Sequence, residues 1–96
     1  MKREIKAILQ PFLVPKVLDA LHEIPGIPAV TVSETRTFHL DGGHYQQVVQ
    51  SKLEVIVPVE LLAPVIEAIQ SHGGTGRPDE GFIVVIPVES VLPTAR

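Results

Sequence analysis

The segment from Thr37 to Tyr45 contains the residues with the clearest capacity for chemistry, namely His39, Asp41 and His44. Imidazole and carboxylate groups are common ligands of divalent metals such as Zn, Ni, Co and Cu. The three residues are therefore candidate metal ligands. The alternative is an exposed polar loop, in which two neighbouring histidines need no ligand.

A second candidate site is the glycine-containing segment of residues 76–81, with the sequence Gly-Arg-Pro-Asp-Glu-Gly. Backbone amides in such a loop can form a concave surface that binds an anion. The segment is not a Walker loop, because it lacks Gly-Lys-Ser/Thr and precedes a strand pattern rather than a helix. The alternative is an ordinary connection between a helix and a strand.

The sequence offers no candidate catalytic centre. No Ser/His/Asp set and no pair of carboxylates occurs at a spacing typical of catalysis. The chain contains no cysteine, which excludes disulfides, thiolate metal sites and a cysteine nucleophile.

An internal repeat supplies the elements that position these candidates. Residues 5–9 and 17–21 recur, at the same offset, as residues 53–57 and 65–69. Each copy is an apolar strand pattern followed by an amphipathic helix and a further β-branched run. A duplicated βαβ unit predicts an α+β, ferredoxin-like split βαβ sandwich (βαββαβ), with a four-stranded antiparallel sheet and two helices on one face. We expect one domain over residues 1–96.

The apolar patterns and prolines delimit the elements. The predicted strands are residues 4–10, 29–36, 48–57 and 82–91. Helical spacing predicts one helix with Val14, Val17, Leu18 and Leu21 on its apolar face, and a second with Leu61, Leu62, Val65, Ile66 and Ile69. We expect residues 37–45 to join strands two and three in a loop that is longer than a hairpin needs, with Asp-Gly-Gly at its tip, and residues 37–51 to include the segment that signals.

The face of the sheet without helices is also predicted to be apolar. Residues 82–86 are apolar on both faces, and Ile8 and Ile56 fall on the face opposite Leu9 and Val57. A sheet covered on one side should instead alternate apolar and polar residues. Since large exposed apolar patches are rare on monomers, we expect a homo-oligomer that buries this face.

The composition argues against nucleic-acid binding and against secretion or membrane insertion. The net charge is -3, and the eight Lys and Arg residues are scattered, which indicates no dedicated nucleic-acid binding. The apolar stretch near the N-terminus is interrupted by Pro11 and Pro15, so it predicts neither a secretory signal nor a membrane insertion. We therefore expect a cytoplasmic protein.

Taken in order, these motifs resemble the nitrogen-regulatory PII signalling family. Residues 5–12 are similar to the start of that family, and residues 26–34 with Phe38 resemble its second strand and the beginning of its long loop. Residues 52–57 resemble the third strand, and residues 75–89 the loop and last strand. No single segment is specific to the family, but the order and spacing of all the segments together are.

The resemblance implies a homotrimer that senses a small molecule and is not an enzyme. Members of the family bind adenine nucleotides in clefts between subunits, and the long loop reports occupancy to a transporter or an enzyme. The residues here that match the cleft wall are Ile8, Thr37, Phe38, His39, Lys52, Glu54, Val55, Ile56 and Gly81. The neighbouring subunit is expected to add Ala29, Val30 and Thr31.

The departures from the family pattern bear on the ligand. The usual lysine after the loop glycine is Phe82, and the phosphate-binding arginines are replaced by Pro93 and Ala95, which leaves Arg77 and Arg96. Charge-assisted hydrogen bonds from such groups contribute about 1.5–3 kcal/mol each. Their loss favours AMP, ADP, bicarbonate or a divalent metal over ATP with 2-oxoglutarate.

Three functions are compatible with the sequence and this resemblance. The first is a PII-like trimeric regulator that binds an AMP- or ADP-type nucleotide or an anion and signals through the shortened loop 37–51 to a membrane transporter or a regulated enzyme. The second is a metal-responsive PII-like protein that uses His39, Asp41 and His44. The third is a trimeric adaptor whose short loop docks a membrane transporter without any ligand. Tyr45 is not equivalent to the family's modified tyrosine, because the segment that carries that residue is missing here.

Overall fold

The chain folds as two consecutive β-α-β units, seen here in a computed structural model that describes residues 1–95. The elements are β1 (Lys2–Leu9), α1 (Val14–His22), β2 (Thr31–Asp41), β3 (His44–Pro58), α2 (Leu62–Gly73) and β4 (Phe82–Val88). The strands form one antiparallel sheet in the order β2-β3-β1-β4. The predicted fold class is confirmed. Neither helix in this part of the chain is long and apolar enough to cross a membrane.

The core lies between the two helices and one face of the sheet. Strand residues alternate between faces, so alternate residues of β1 and β3 point towards the helices. The buried apolar residues are Ile5, Ala7, Leu9, Val17 and Leu21 in the first unit and Leu53, Val55, Val57, Val65 and Ile69 in the second. These two sets match one another position by position along the repeat, so the duplicated sequence provides both halves of one aliphatic core.

The prediction that residues 37–45 form a loop longer than a hairpin needs is wrong. The ladder between β2 and β3 continues without interruption to the pair of Asp41 and His44. Gly42 and Gly43 have φ angles of 59° and 86°, which are the two positive values that a two-residue type I′ hairpin turn requires. The turn signal lay in the sequence, but the polar flanking residues do not show the alternation that identifies a buried strand.

The outer part of this hairpin extends beyond the four-stranded sheet. Leu9, the last residue of β1, pairs with Ser51, and Gln50 is the next residue of β3 towards the turn. From the pair of Thr35 and Gln50 outwards, β2 and β3 therefore pair only with each other. Residues 35–50 are referred to below as the hairpin arm.

The ends of β1 and β4 also differ slightly from the predicted bounds. β4 ends at Val88 rather than at residue 91, and β1 begins at Lys2 rather than at residue 4. Val88 pairs with Lys2 in the last step of the β1–β4 ladder. Beyond this pair the β1–β4 ladder ends, although the carbonyl of Met1 still accepts a hydrogen bond from the amide of Val59.

The open face, meaning the face of the sheet without helices, carries both apolar and charged side chains. Ile56, Phe82 and Val84 are exposed on it. Lys6 pairs across the ladder with Glu54, whose Oε1 also lies 3.9 Å from the Nζ of Lys52. The apolar surface predicted from the sequence is present, but this charged strip interrupts it.

Candidate ligand-binding site

A cavity of about 420 Å³ lies where α2 ends and β4 begins. The last turn of α2 forms one wall and residues 74–81 form another. Ile8 and Leu9 of β1 and the first two residues of β4 complete the lining. The segment that resembled an anion-binding loop is therefore part of a concave surface.

Close backbone packing shapes this cavity. Residue 81 crosses the end of β1, where a Cβ atom on Gly81 would clash with the carbonyl oxygen of Ile8. At the end of α2, a Cβ atom on Gly73 would lie 2.9 Å from Cδ2 of Leu9. The backbone oxygen of Ile8 cannot move aside, so position 81 requires glycine, whereas a Cβ atom at position 73 would require the Leu9 side chain to shift. The glycines allow the chain to pass closely over β1 and leave space beside it.

The charges around the cavity are few and balanced. Arg77 is the one Lys or Arg residue among the described lining residues, and its Nη1 lies 3.7 Å from Oε2 of Glu80. The C-terminal end of α2 is also at this cavity, and the carbonyl groups at a helix C-terminus carry a partial negative charge. The cavity therefore suits a ligand of low net charge better than a polyanion.

A buried amide connects the cavity loop to the hairpin arm. Gln50 is only 1% exposed, and its Nε2 donates a hydrogen bond of 2.9 Å to the backbone carbonyl of Glu80. Its Oε1 is buried and has no hydrogen-bond partner within residues 1–95. Gln50 does not line the cavity itself, but it holds a residue that does.

The structure brings some of the predicted ligand residues together. Ile8, Arg77 and Gly81 all line the cavity. Ala29 and Val30 precede β2 and Thr31 begins it, at the opposite end of that strand from the arm. None of the three lines the cavity of its own chain, and their contribution to a neighbouring subunit stays a prediction. Arg96 lies outside the described residues.

The predicted residues of β3 lie on different faces. Lys52, Glu54 and Ile56 point to the open face, and Ile8 pairs with Lys52 in the ladder. Val55 points the other way and is 2% exposed within the core, so its side chain cannot line a cleft on the open face. The correction follows from strand alternation, which sends neighbouring side chains to opposite sides.

The predicted residues of β2 lie on the hairpin arm and also alternate. Thr37 and His39 share the open face, because they pair with Val48 and Gln46 in the regular ladder. Phe38 points to the opposite side and is 55% exposed. None of these three residues lines the cavity in a single chain.

The predicted metal site is not supported by the structure. His39, Asp41 and His44 share the open face of the arm, but no group of three or more His, Cys, Asp or Glu residues within positions 1–95 is placed to hold a metal ion. Side chains on a hairpin stand roughly side by side, perpendicular to the strands, instead of converging on one point. The sequence spacing therefore placed the residues on one face without making a ligand set.

Sequence reasoning missed the contribution of Gln50 and Glu80. Glu80 was visible only as part of the segment 76–81, with no assigned role. Gln50 carried no signal, because it is one of several glutamines in β3 and the pattern does not distinguish it from Gln46 or Gln47. Its burial depends on the loop that folds over it from 30 positions away.

Comparison with known proteins identifies the family. The family described as "Nitrogen regulatory protein P-II" matches residues 1–94. The chain belongs to the P-II family. It is similar to the nitrogen regulatory protein P-II of Azospirillum brasilense, with 37% identity over 94% of this chain and 88% of that protein. The protein of the same name from Rhodospirillum rubrum is 33% identical over the same shares of the two chains.

A solved P-II structure agrees with this assignment. The crystal structure of Arabidopsis thaliana PII bound to citrate superposes with a TM-score of 0.81 and 32% sequence identity. The match covers 97% of this chain and 80% of the plant chain. The resemblance inferred from sequence motifs is thereby confirmed, and this P-II chain is a regulatory protein rather than an enzyme.

Proposed function

We propose that this P-II chain is a cytoplasmic homotrimer that senses a small ligand of low charge and signals through the hairpin arm. The ligand is an AMP- or ADP-type nucleotide or a small anion such as bicarbonate. The partner is a membrane transporter or a regulated enzyme. The observation that carries the proposal is the position of the cavity, whose loop is tied by Gln50 to the base of the arm.

The open face supports the trimer. Ile56, Phe82 and Val84 are between 38% and 55% exposed in the single chain. Closed rings of identical subunits bury such patches on every copy. Within the charged strip, Glu54 lies beside both Lys52 and Lys6, so part of the charge that the trimer would bury is already compensated within the chain.

The lining supports a nucleotide with few phosphates. Phe82 pairs with Ile8 in the ladder, so the two side chains lie next to each other on the open face. Such an apolar surface can stack a base, an interaction of about 1–3 kcal/mol. Among the described lining residues, Arg77 is the one cation that can neutralise phosphate, and it is engaged by Glu80. A second or third phosphate therefore finds little additional positive charge.

The arm is suited to transmit the signal. It is an ordered hairpin rather than an irregular loop, so the ligand acts on the attachment and orientation of the arm. A ligand can shift this equilibrium only if it binds the two orientations with different affinities. The exposed side chains of Phe38, Leu40 and Tyr45 give the arm a surface for a partner.

Titration calorimetry with AMP, ADP, ATP and bicarbonate tests the ligand. We expect AMP or ADP to bind more tightly than ATP. Arg77→Gln should lower the nucleotide affinity about tenfold, since one charge-assisted contact is lost. Lys16→Gln changes an exposed lysine of α1 that does not line the cavity and is the matched control. Absence of binding by all four compounds would overturn the proposal.

Sedimentation and native mass spectrometry test the assembly. We expect a trimer for the unmodified protein and dissociation for Ile56→Lys, which places a charge on the open face. Phe12→Lys, at an exposed position outside the sheet, is the control and should remain trimeric. A stable, folded monomer of the unmodified protein at micromolar concentration would refute the trimer.

A further inference from the structure

Gln50 occupies the point at which the hairpin arm leaves the body of the protein. Ser51 is the last residue of β3 that pairs with β1, and Gln50 follows it towards the turn. Its hydrogen bond to the carbonyl of Glu80 spans 30 positions in the chain. Within residues 1–95, the other hydrogen bonds that involve a side chain join residues no more than two positions apart. This bond is therefore a specific tie between the arm base and the cavity loop.

Only one of the two polar atoms of the Gln50 amide has a hydrogen-bond partner among the described residues. Nε2 of Gln50 has its acceptor, whereas Oε1 is buried without a donor among the described residues. Leaving a buried acceptor unpaired costs at least as much free energy as a typical hydrogen bond contributes. Release of the turn would give Oε1 access to a donor such as water, which would offset part of the cost of breaking the hydrogen bond to Glu80.

Glu80 links this tie to the cavity. Its backbone carbonyl accepts the hydrogen bond from Gln50, while its carboxylate lies 3.7 Å from Nη1 of Arg77. An anionic group that binds Arg77 competes with that carboxylate. When the carboxylate is displaced, the turn of Pro78–Glu80, which presents the carbonyl to Gln50, loses its ion pair with Arg77.

We propose that Gln50 and Glu80 form a latch that couples occupancy of the cavity to the hairpin arm. The inference rests on the proposed function in one respect, namely that the cavity binds a small anionic ligand. In the latched state, Gln50 holds the turn against β3. The ligand binds the released state more tightly, because Arg77 is then free of Glu80. Gln50 is thus a positioning residue that acts through Glu80.

The latch predicts that replacement of Gln50 raises the ligand affinity, whereas simple structural damage would lower it. If ligand binding favours the released state, a variant without the latch must bind the ligand more tightly. By linkage, one coupling free energy determines both this gain in affinity and the shift towards the released state that the ligand causes. Gln50→Met keeps the length and volume of the side chain but removes both the donor and the unpaired acceptor. We expect its affinity for AMP to be about two- to tenfold higher than that of the unmodified protein, which is the range that one hydrogen bond supplies.

Hydrogen exchange in the ligand-free protein tests the latch without any ligand. The amide of Glu80 donates to the carbonyl of Arg77, so its exchange reports on the turn. In Gln50→Met we expect this amide to exchange about two- to tenfold faster. Gln46→Met changes an exposed glutamine of the same strand and should leave the exchange unchanged. Equal exchange in the unmodified protein and in Gln50→Met would overturn the latch.

Two further measurements keep the outcomes distinct. Gln50→Asn retains the amide but is one methylene shorter, and it should show the same faster exchange if Gln50→Met fails to fold. An affinity for AMP that is unchanged or lower in the folded Gln50 variant refutes the coupling. If the unmodified protein binds no AMP, ADP or bicarbonate, the proposed function and the coupling fail together, and the exchange result alone decides the latch.

Discussion

The two connections that lead from a helix to the following strand occupy equivalent places in the repeat but do opposite things. After α1, Ile24, Ile27 and Val30 pack against the core, and Gly26 lies against Leu61. After α2, residues 74–81 contribute no apolar side chain to the core and instead border the cavity. The first connection fills the space at its end of the sheet, and the second leaves it open.

The difference shows how a duplicated scaffold can acquire one site instead of two. Core positions in the two units match, so each unit provides the same structural support. The apolar residues of the first connection have no apolar counterpart in the second, where glycines border a cavity and Arg77 and Glu80 line it. Function then depends on a segment that adds little to stability. This division of roles can be tested by substitution.

The largest effects are expected where the two units are equivalent. Ile5 and Leu53 occupy matching positions and are both 0% exposed. Each substitution by alanine should lower the free energy of unfolding by about 2–5 kcal/mol, through lost burial and the cavity left behind. Urea denaturation of Ile5→Ala and Leu53→Ala measures both values. A loss below about 1 kcal/mol for one of them would contradict equal contributions from the two units.

Substitution of one glycine in each connection should lower the free energy of unfolding by an intermediate amount, and the two losses should differ. A Cβ atom on residue 81 would clash with the backbone oxygen of Ile8, which cannot move without shifting β1. Gly81→Ala should therefore lower the free energy of unfolding by about 2–3 kcal/mol. A Cβ atom on residue 26 would lie 3.2 Å from a flexible Cδ1 of Leu61, and the φ of Gly26 is 96°, so Gly26→Ala should cost about 1–2 kcal/mol.

Thermal denaturation followed by circular dichroism compares these two glycine variants. Gly81→Ala should also weaken binding of AMP, because the displaced loop lines the cavity. Gly26→Ala should leave the nucleotide affinity unchanged. If Gly26→Ala is the more destabilising variant, the close passage of the chain over β1 is not the reason for glycine at position 81.

The smallest effects on stability are expected from the charges. Arg77 and Glu80 form an ion pair in which the arginine side chain is 73% exposed, and such surface pairs contribute about 0–1 kcal/mol. Glu80→Gln should change the free energy of unfolding by less than about 0.5 kcal/mol. The same variant should raise the affinity for AMP several-fold, because Arg77 is no longer engaged by a carboxylate.

Glu23→Gln is the matched control in the first connection. Glu23 is an exposed carboxylate at the end of α1 and does not border the cavity. Both its stability and its nucleotide affinity, measured by urea denaturation and calorimetry, should equal those of the unmodified protein. A similar rise in affinity for Glu23→Gln would show that general charge, rather than the pair with Arg77, controls binding.

The fold was predictable because its signals are local and repeated. Helical and strand periodicities, together with the recurrence of residues 5–9 as 53–57, specify a duplicated βαβ unit before any contact is known. The boundaries of β2 and β3 were missed because the arm is not buried. Exposed strands are stabilised by backbone pairing and by the turn at Gly42 and Gly43, which leave no apolar alternation to detect.

The site was predictable only in part. Arg77 and Gly81 were found because glycine and charge mark the second connection, and both line the cavity. Val55 was assigned to a cleft although its side chain is in the core, because a residue-by-residue match to a family does not state which side chain faces the ligand. The three candidate metal ligands failed for a related reason, since sharing a face does not make side chains converge.

The amino-acid sequence alone determined the family, the duplicated architecture and the composition of the core, since these depend on periodicity and on which residues leave water. Only the tertiary structure decided that residues 35–50 form an arm and that Gln50 holds the loop beside the cavity. Hydrogen bonds and burial between distant segments depend on the three-dimensional path of both segments. No local pattern around Gln50 records that Glu80 folds over it.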